Sequence, residues 1–410
     1  MFGLSKIKNL SLAMLLAIGT CSSVEPELKI DIDKIDPAKV MTGPYSFYVP
    51  PYNTYYFQHM DQLGLRLDWI RHSGPVYPLQ EPKTSFTINY TYQDLLYTLE
   101  DYFKRNSVLG FLILKDNQII LERYFHDSDQ NSRFLSMSVQ KSMTSTLFGI
   151  ALEDGKIASI EDPVTKYLPG LSVSGYNRVN LKQVLMMATG IEANENSLDP
   201  QSSIHQFNAM TLRGVPSFYD YIKSLKADPN VKPGTVFDYQ TVNTEVLGLV
   251  IEKATGMPLN EYMQSKLWSK IGAQSDAFIF RAPKQPDQGA YGCLCATLRD
   301  YGRFGLMMMN GGILGDTRVV GSSWVKQATT PQQYGSQPRD NNSVGYGYQW
   351  WIPPGNDGAF KAMGIFGQLI YIDPLKHIVV VEMSAWPQPD TEERWAEMDE
   401  VIKAIVPKIN

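Results

Sequence analysis

Strand-like apolar segments stand near both ends of the chain, with helical patterns between them. The early block, "LGFLILKDNQIILERYF" (109–125), is two apolar runs around Asp116 and Asn117, which reads as a hairpin. The late block is "GYGYQWWI", "GAFKAMG", "GQLIYIDP" and "HIVVVEMS", all after residue 344. Between them "LKQVLMMAT", "NTEVLGLVIEKATG" and "ATLRDYGRFGLMMMNGG" carry apolar residues at helical spacing, and an amphipathic helix, "TEERWAEMDEVIKAIVPKI", closes the chain. Strands need partners, so the two blocks are expected to share one mixed sheet, with a mainly helical region, about 160–290, inserted between them. The fold class is α+β, without internal repeats.

At 410 residues, with 43% hydrophobic and 19% charged, the chain can bury a large core as one domain or two. Its formal charge of -5 leaves no basic face for nucleic acid. A small-molecule or peptide-like substrate is expected.

The first residues place Lys6 and Lys8 before an apolar run, Leu10 to Ile18, and then small residues. This reads as an export signal over 1–21, too short for a membrane span. Cys21 resembles a lipoprotein cleavage site, where lipidation would anchor the protein; a periplasmic or membrane-anchored bacterial location follows. Residues 22–84, rich in proline and tyrosine, are expected to form an extended arm, followed by the main domain over 85–410, which starts with a helical stretch from Asn89 to about Arg105.

Cys293 and Cys295 are separated by one residue, a spacing that rarely reaches disulfide geometry. The five histidines, His59, His72, His126, His205 and His377, are scattered singly, so no metal site is expected. Nothing in the sequence calls for a cofactor or sets an oligomeric state.

In "SMSVQKSMT", Ser138 and Lys141 lie three apart, on one helix face. Val139, Met143, Leu147, Ile150 and Ala151 continue a buried helix that stops at Gly155. The spacing alone is weak, because it recurs at Ser5 with Lys8 and at Ser323 with Lys326. Ser138 could equally be a helix cap with the Lys141 stem lying along the helix. At a helix start, however, backbone amides favour negative charge, and a buried lysine loses its proton more readily. That combination suits a nucleophilic serine with a lysine base.

"SVQK", "FDYQTVNTEVLGLVIEKATG" and "GIFGQLIYIDP" resemble the three ordered motifs of the serine β-lactamase-like family, and within it 6-aminohexanoate-oligomer hydrolases and related esterases. The likeness runs over roughly 85–388. It implies a mostly antiparallel sheet flanked by helices, with Ser138 as nucleophile, Lys141 as base and Tyr239 as proton shuttle. It also implies an oxyanion hole from the backbone amides of Ser138 and Gln368, with Thr241, Asn243, Phe366 and Gly367 lining the substrate site.

The departures narrow the substrate. Thr241 stands where the tyrosine motif usually has Asn or Ser. Ile365 and Phe366 replace the cation and hydroxyl that β-lactamases and cell-wall peptidases carry before the glycine of the third motif. Cys295 and Ser197 also depart from the oligomer-hydrolase pattern. An ester or amide with a neutral acyl group is therefore expected. The alternatives are a β-lactamase or D,D-peptidase, and a binding or sensor protein on the same fold.

Overall fold

The computed structural model describes residues 46–81, 86–196, 199–335, 344–355 and 358–409. The export segment, Cys21 and Ser197 lie outside them.

The region expected as an extended arm is more structured than its composition suggests. It carries helix α1 (Tyr52–Tyr56) and strand β1 (Arg66–Ile70). The expected helix from Asn89 begins instead as a hairpin, β2 (Asn89–Tyr92) and β3 (Leu95–Thr98). Gln93 and Asp94 both take positive φ, 48° and 62°, as a tight hairpin turn demands, and the tyrosines and threonines on either side prefer strand. Helix begins only at α2 (Leu99–Arg105), where Thr98 and Asp101 form a capping box.

The two apolar blocks do share a sheet. Strands β4 (Val108–Lys115) and β5 (Gln118–Tyr124) form the early hairpin, with Asp116 at φ 50° in its turn. After β6 (Phe134–Leu135) comes the long helix α3 (Val139–Glu153). The middle of the chain holds α4 (Val164–Tyr167), α5 (Leu181–Leu185), α6 (Ser203–Arg213), α7 (Phe218–Ser224), α8 (Thr241–Thr255) and α9 (Leu259–Met263). It is not purely helical: β7 (Ala277–Arg281) pairs with β1 and with β8 (Leu294–Ala296), which pairs with β6.

Helix α10 (Leu298–Met309) leads through the small hairpin β9 (Ile313–Leu314) and β10 (Thr317–Arg318) to α11 (Ser322–Ala328). The late block follows as β11 (Gly345–Tyr346), β12 (Trp351–Ile352), β13 (Phe360–Gly364), β14 (Gln368–Asp373) and β15 (Ile378–Ser384), then α12 (Glu392–Ile405). Sheet order is β11-β12-β13-β14-β15-β4-β5, antiparallel throughout, and β15 against β4 joins late block to early. Every residue of β14 and β15 is buried, which explains their continuous apolar runs. Helix α10 lies close on this sheet because a side-chain carbon at Gly305 would come within 2.6 Å of Val379. Among the described residues no helix is long and apolar enough to cross a membrane.

Candidate active site

Helix α3 is buried from Val139 to Ala151 and carries many polar residues, so each needs an internal partner. Gln140 accepts the amides of Cys293 and Leu294 and donates to Gly289 O. Ser142 and Ser145 donate to the carbonyls of Gln349 and Tyr348 at 2.6 and 2.7 Å, and Thr144 to Ala290 O at 2.6 Å. These bonds lock the 289–294 and 348–349 segments onto the helix. They leave Lys141 as the residue whose polar end structure alone does not account for.

Lys141 Nζ donates to Ser138 Oγ at 2.7 Å and to Tyr291 O at 3.3 Å, both neutral oxygens. Its side chain is only 2% exposed. Burial pulls its pKa down to about 8, opposed first by the nearby Glu195 carboxylate. Ser138 occupies the N-cap position, but its hydroxyl makes no cap bond. The helix-cap reading therefore lacks its defining contact. Met137, just before it, is held at φ 43°, a strained turn that presents a half-exposed serine at the helix start.

Tyr239 comes from the loop before α8 and joins this pair through a hydrogen bond between its hydroxyl and Ser138. Its ring is fixed by stacking on Trp351 at 5.4 Å, edge contact with Tyr346, and Lys141 Nζ 5.2 Å from its centre. Burial pushes the phenol well above its ordinary pKa, only partly offset by Ser138. Tyr239 thus keeps its proton near neutral pH.

Thr241 also reaches the site. Its amide and hydroxyl both donate to Glu195, at 2.8 Å each, so a carboxylate caps the start of α8. Burial raises the Glu195 carboxyl, and Lys141 and the Thr241 bonds oppose the rise. Glu195 lies in "EANENS", a stretch without periodicity, so the sequence offered no signal for it.

Four expected site residues fall elsewhere. Asn243 is fully buried and accepts from the Tyr176 hydroxyl at 2.7 Å. Phe366 turns into the core, stacking on Tyr48 at 5.6 Å and meeting Phe57 edge-on. Gly367 is packed on Trp386, whose indole would lie 2.4 Å from an added carbon. Gln368, expected to give its backbone amide, stands in β14 opposite Gly364, at the far side of the turn, with its side chain bonded to Phe366 O and Ser384 O.

The glycine that meets the serine is Gly364, three residues earlier. A side-chain carbon there would stand 2.8 Å from the Ser138 amide nitrogen and fill the space in front of it. Ile365 follows directly and lines the same pocket as Ser138. The register of the third motif is therefore shifted from the sequence reading, because the turn from β13 to β14 spans only residues 365–367. The substrate argument survives: Ala362 and Met363 precede Gly364, and Lys361 is paired with Asp399 on α12.

The pocket beside Ser138 has a volume of about 30 Å³. Its walls include Tyr48, Ile204, Asn208, Thr211 and Tyr291, none identified from the sequence. Cys293 lines it as well, whereas Cys295 sits in β8, away from it; both are free thiols. Among the described residues no cluster could hold a metal ion.

An antiparallel sheet backed by helices, with a serine and a buried lysine at the head of the central helix, defines a β-lactamase-like protein. Comparison with known proteins agrees: the beta-lactamase family matches residues 100–403. A 6-aminohexanoate-dimer hydrolase of Paenarthrobacter ureafaciens is 33% identical over 308 residues, 72% of this chain and 76% of that one. The chain belongs to the beta-lactamase family and is a hydrolase. Among solved structures, a Bacillus anthracis protein provisionally named a 6-aminohexanoate-dimer hydrolase superposes with a TM-score of 0.79 at 23% identity, covering 89% of this chain and 96% of that one. A class C beta-lactamase gives a TM-score of 0.54 at 15% identity, over 75% and 94% of the two chains. These two likenesses show the shared fold.

Proposed function

We propose that the protein hydrolyses an ester or amide bond of a neutral acyl compound through an acyl-enzyme on Ser138. The observation that carries this reading is the 2.7 Å contact between Ser138 Oγ and a buried Lys141 whose pKa is lowered to about 8. As the free amine, Lys141 takes the serine proton while Oγ attacks the carbonyl carbon. The oxyanion is received by the amides of Ser138 and Ile365, the second replacing Gln368 in that role. Tyr239 then gives its phenolic proton to the leaving group and is reprotonated by the Lys141 ammonium. Water repeats the sequence, releasing the acid and restoring Ser138.

The neutral acyl group follows from the pocket. Lys141 is its only cation among the described lining residues, and it is engaged with Ser138. A substrate carboxylate, as β-lactams and D-alanyl peptides present, has no partner there. The test is turnover of p-nitrophenyl esters beside a chromogenic cephalosporin, with Ser138→Ala as control. Ester hydrolysis that depends on Ser138, with the cephalosporin poor or inert, is the expected result. Preferred cephalosporin turnover would point to a β-lactamase, and a stable adduct without product to a sensor.

We further read residues 1–21 as an export signal with Cys21 as the lipidated residue, supported by Lys6, Lys8 and the apolar run to Ile18. Loss of membrane association in Cys21→Ser would agree. Unchanged fractionation would remove the anchor.

A further inference from the structure

The reacting centre divides space unequally. Tyr239, which serves the leaving group, does not line the pocket and is held against Tyr346 and Trp351. The pocket extends the other way, under α6, whose Ile204, Asn208 and Thr211 lie at i, i+4 and i+7 and so form one helix face turned to it. Tyr48 and Phe280 also line it. The floor is polar but satisfied within itself: Thr211 and Tyr291 share a short hydroxyl contact, and the Tyr291 hydroxyl reaches Asn208 Oδ1 at 3.5 Å.

Resting on the reading of Ser138 above, we propose that this pocket is the acyl subsite and that the α6 face restricts the enzyme to short, uncharged acyl groups such as acetyl and propionyl. The volume sets the length. About 30 Å³ is small beside the several hundred Å³ of pockets that take drug-sized ligands, so a short acyl group fills it. The lining chemistry sets the charge. No carboxylate among the described residues lines the pocket to meet a terminal ammonium, and Glu195 is spent on Thr241. A six-carbon aminoacyl chain is both too long and unpaired here, so the specificity differs from what the name of the Paenarthrobacter relative suggests. Ile204, the apolar residue of that helix face, is the specificity-determining residue.

The experiment is kcat/KM for p-nitrophenyl acetate, butyrate and octanoate with the whole protein and with Ile204→Ala. A methylene in a tight pocket changes selectivity by roughly tenfold or more. The parent is therefore expected to lose at least about tenfold from acetate to butyrate and more to octanoate, and Ile204→Ala to recover butyrate relative to acetate. The parent profile stands as a test even if the variant does not fold. A flat or rising profile overturns the acyl-subsite assignment. So does turnover of no ester by a protein that still takes a fluorophosphonate on Ser138, and this leaves the nucleophile reading intact. Absence of that label overturns both.

Discussion

Two helices of this protein carry the same serine-lysine spacing, and only one can make a nucleophile. On α11, Ser323 and Lys326 are both exposed, and the serine hydroxyl accepts from Gln327 at 3.1 Å, one turn along. Water solvates that lysine. On α3 the helix is walled in by β13, α8 and the 289–294 segment, so the Lys141 ammonium is stripped of water and faces two neutral oxygens. The spacing supplies proximity in both places. Only burial supplies a base.

Removing Lys141 gives the largest effect. Lys141→Ala is expected to lower the acylation rate by roughly 100-fold or more, the range of general acid–base contributions, in stopped-flow or burst assays. A lysine with a folded pKa below its unfolded one destabilises the fold while protonated, and this cost fades as pH rises from about 8 toward 10.5. Lys141→Met should therefore hold Tm at pH 7 or raise it by about 1 °C, the shift that about 1 kcal/mol gives in a chain of this size. Activity and stability would move in opposite directions, which a purely structural lysine would not allow.

Gly364→Ala comes next. It places a methyl in front of the Ser138 amide and should cost about 100-fold in kcat, comparable to losing one oxyanion donor. Thermal melting separates that from unfolding.

Glu195→Gln sharpens the electrostatics. The Glu195 charge raises the Lys141 pKa, so removing it lowers that pKa. The rising limb of the pH–rate profile, expected near pH 8 in the parent, should move to lower pH. An unmoved limb would detach Glu195 from the base. Lys326→Ala is the smallest change, within about 0.5 kcal/mol of parent stability and with unaltered kcat/KM.

The architecture was legible where residues repeat with a period. The β4–β5 hairpin, α3 ending at Gly155 and the three long late strands follow from apolar spacing, because burial on one face or two leaves a regular trace. The 89–98 hairpin was not, since its tyrosines alternate over too few residues and its turn uses Gln93 and Asp94 rather than glycine. At the site, Ser138 and Lys141 were paired by their spacing at a helix start and Tyr239 only by the family resemblance, and the structure brings Tyr239 within reach of that pair. Gln368, Phe366 and Gly367 were misplaced because a turn of three residues shifts which glycine meets the serine, and only the backbone shows that. Glu195 and the α6 face reach the site through the tertiary fold, and no local pattern announces them.

The most direct test of the account is the rate of fluorophosphonate labelling of the whole protein as a function of pH, read as intact mass, with Ser138→Ala and Lys141→Ala alongside. The account predicts one adduct on the parent, none on Ser138→Ala, and a labelling rate that climbs through about pH 8 in the parent but loses that limb in Lys141→Ala. An adduct that persists without Ser138, or a limb unchanged without Lys141, would contradict it.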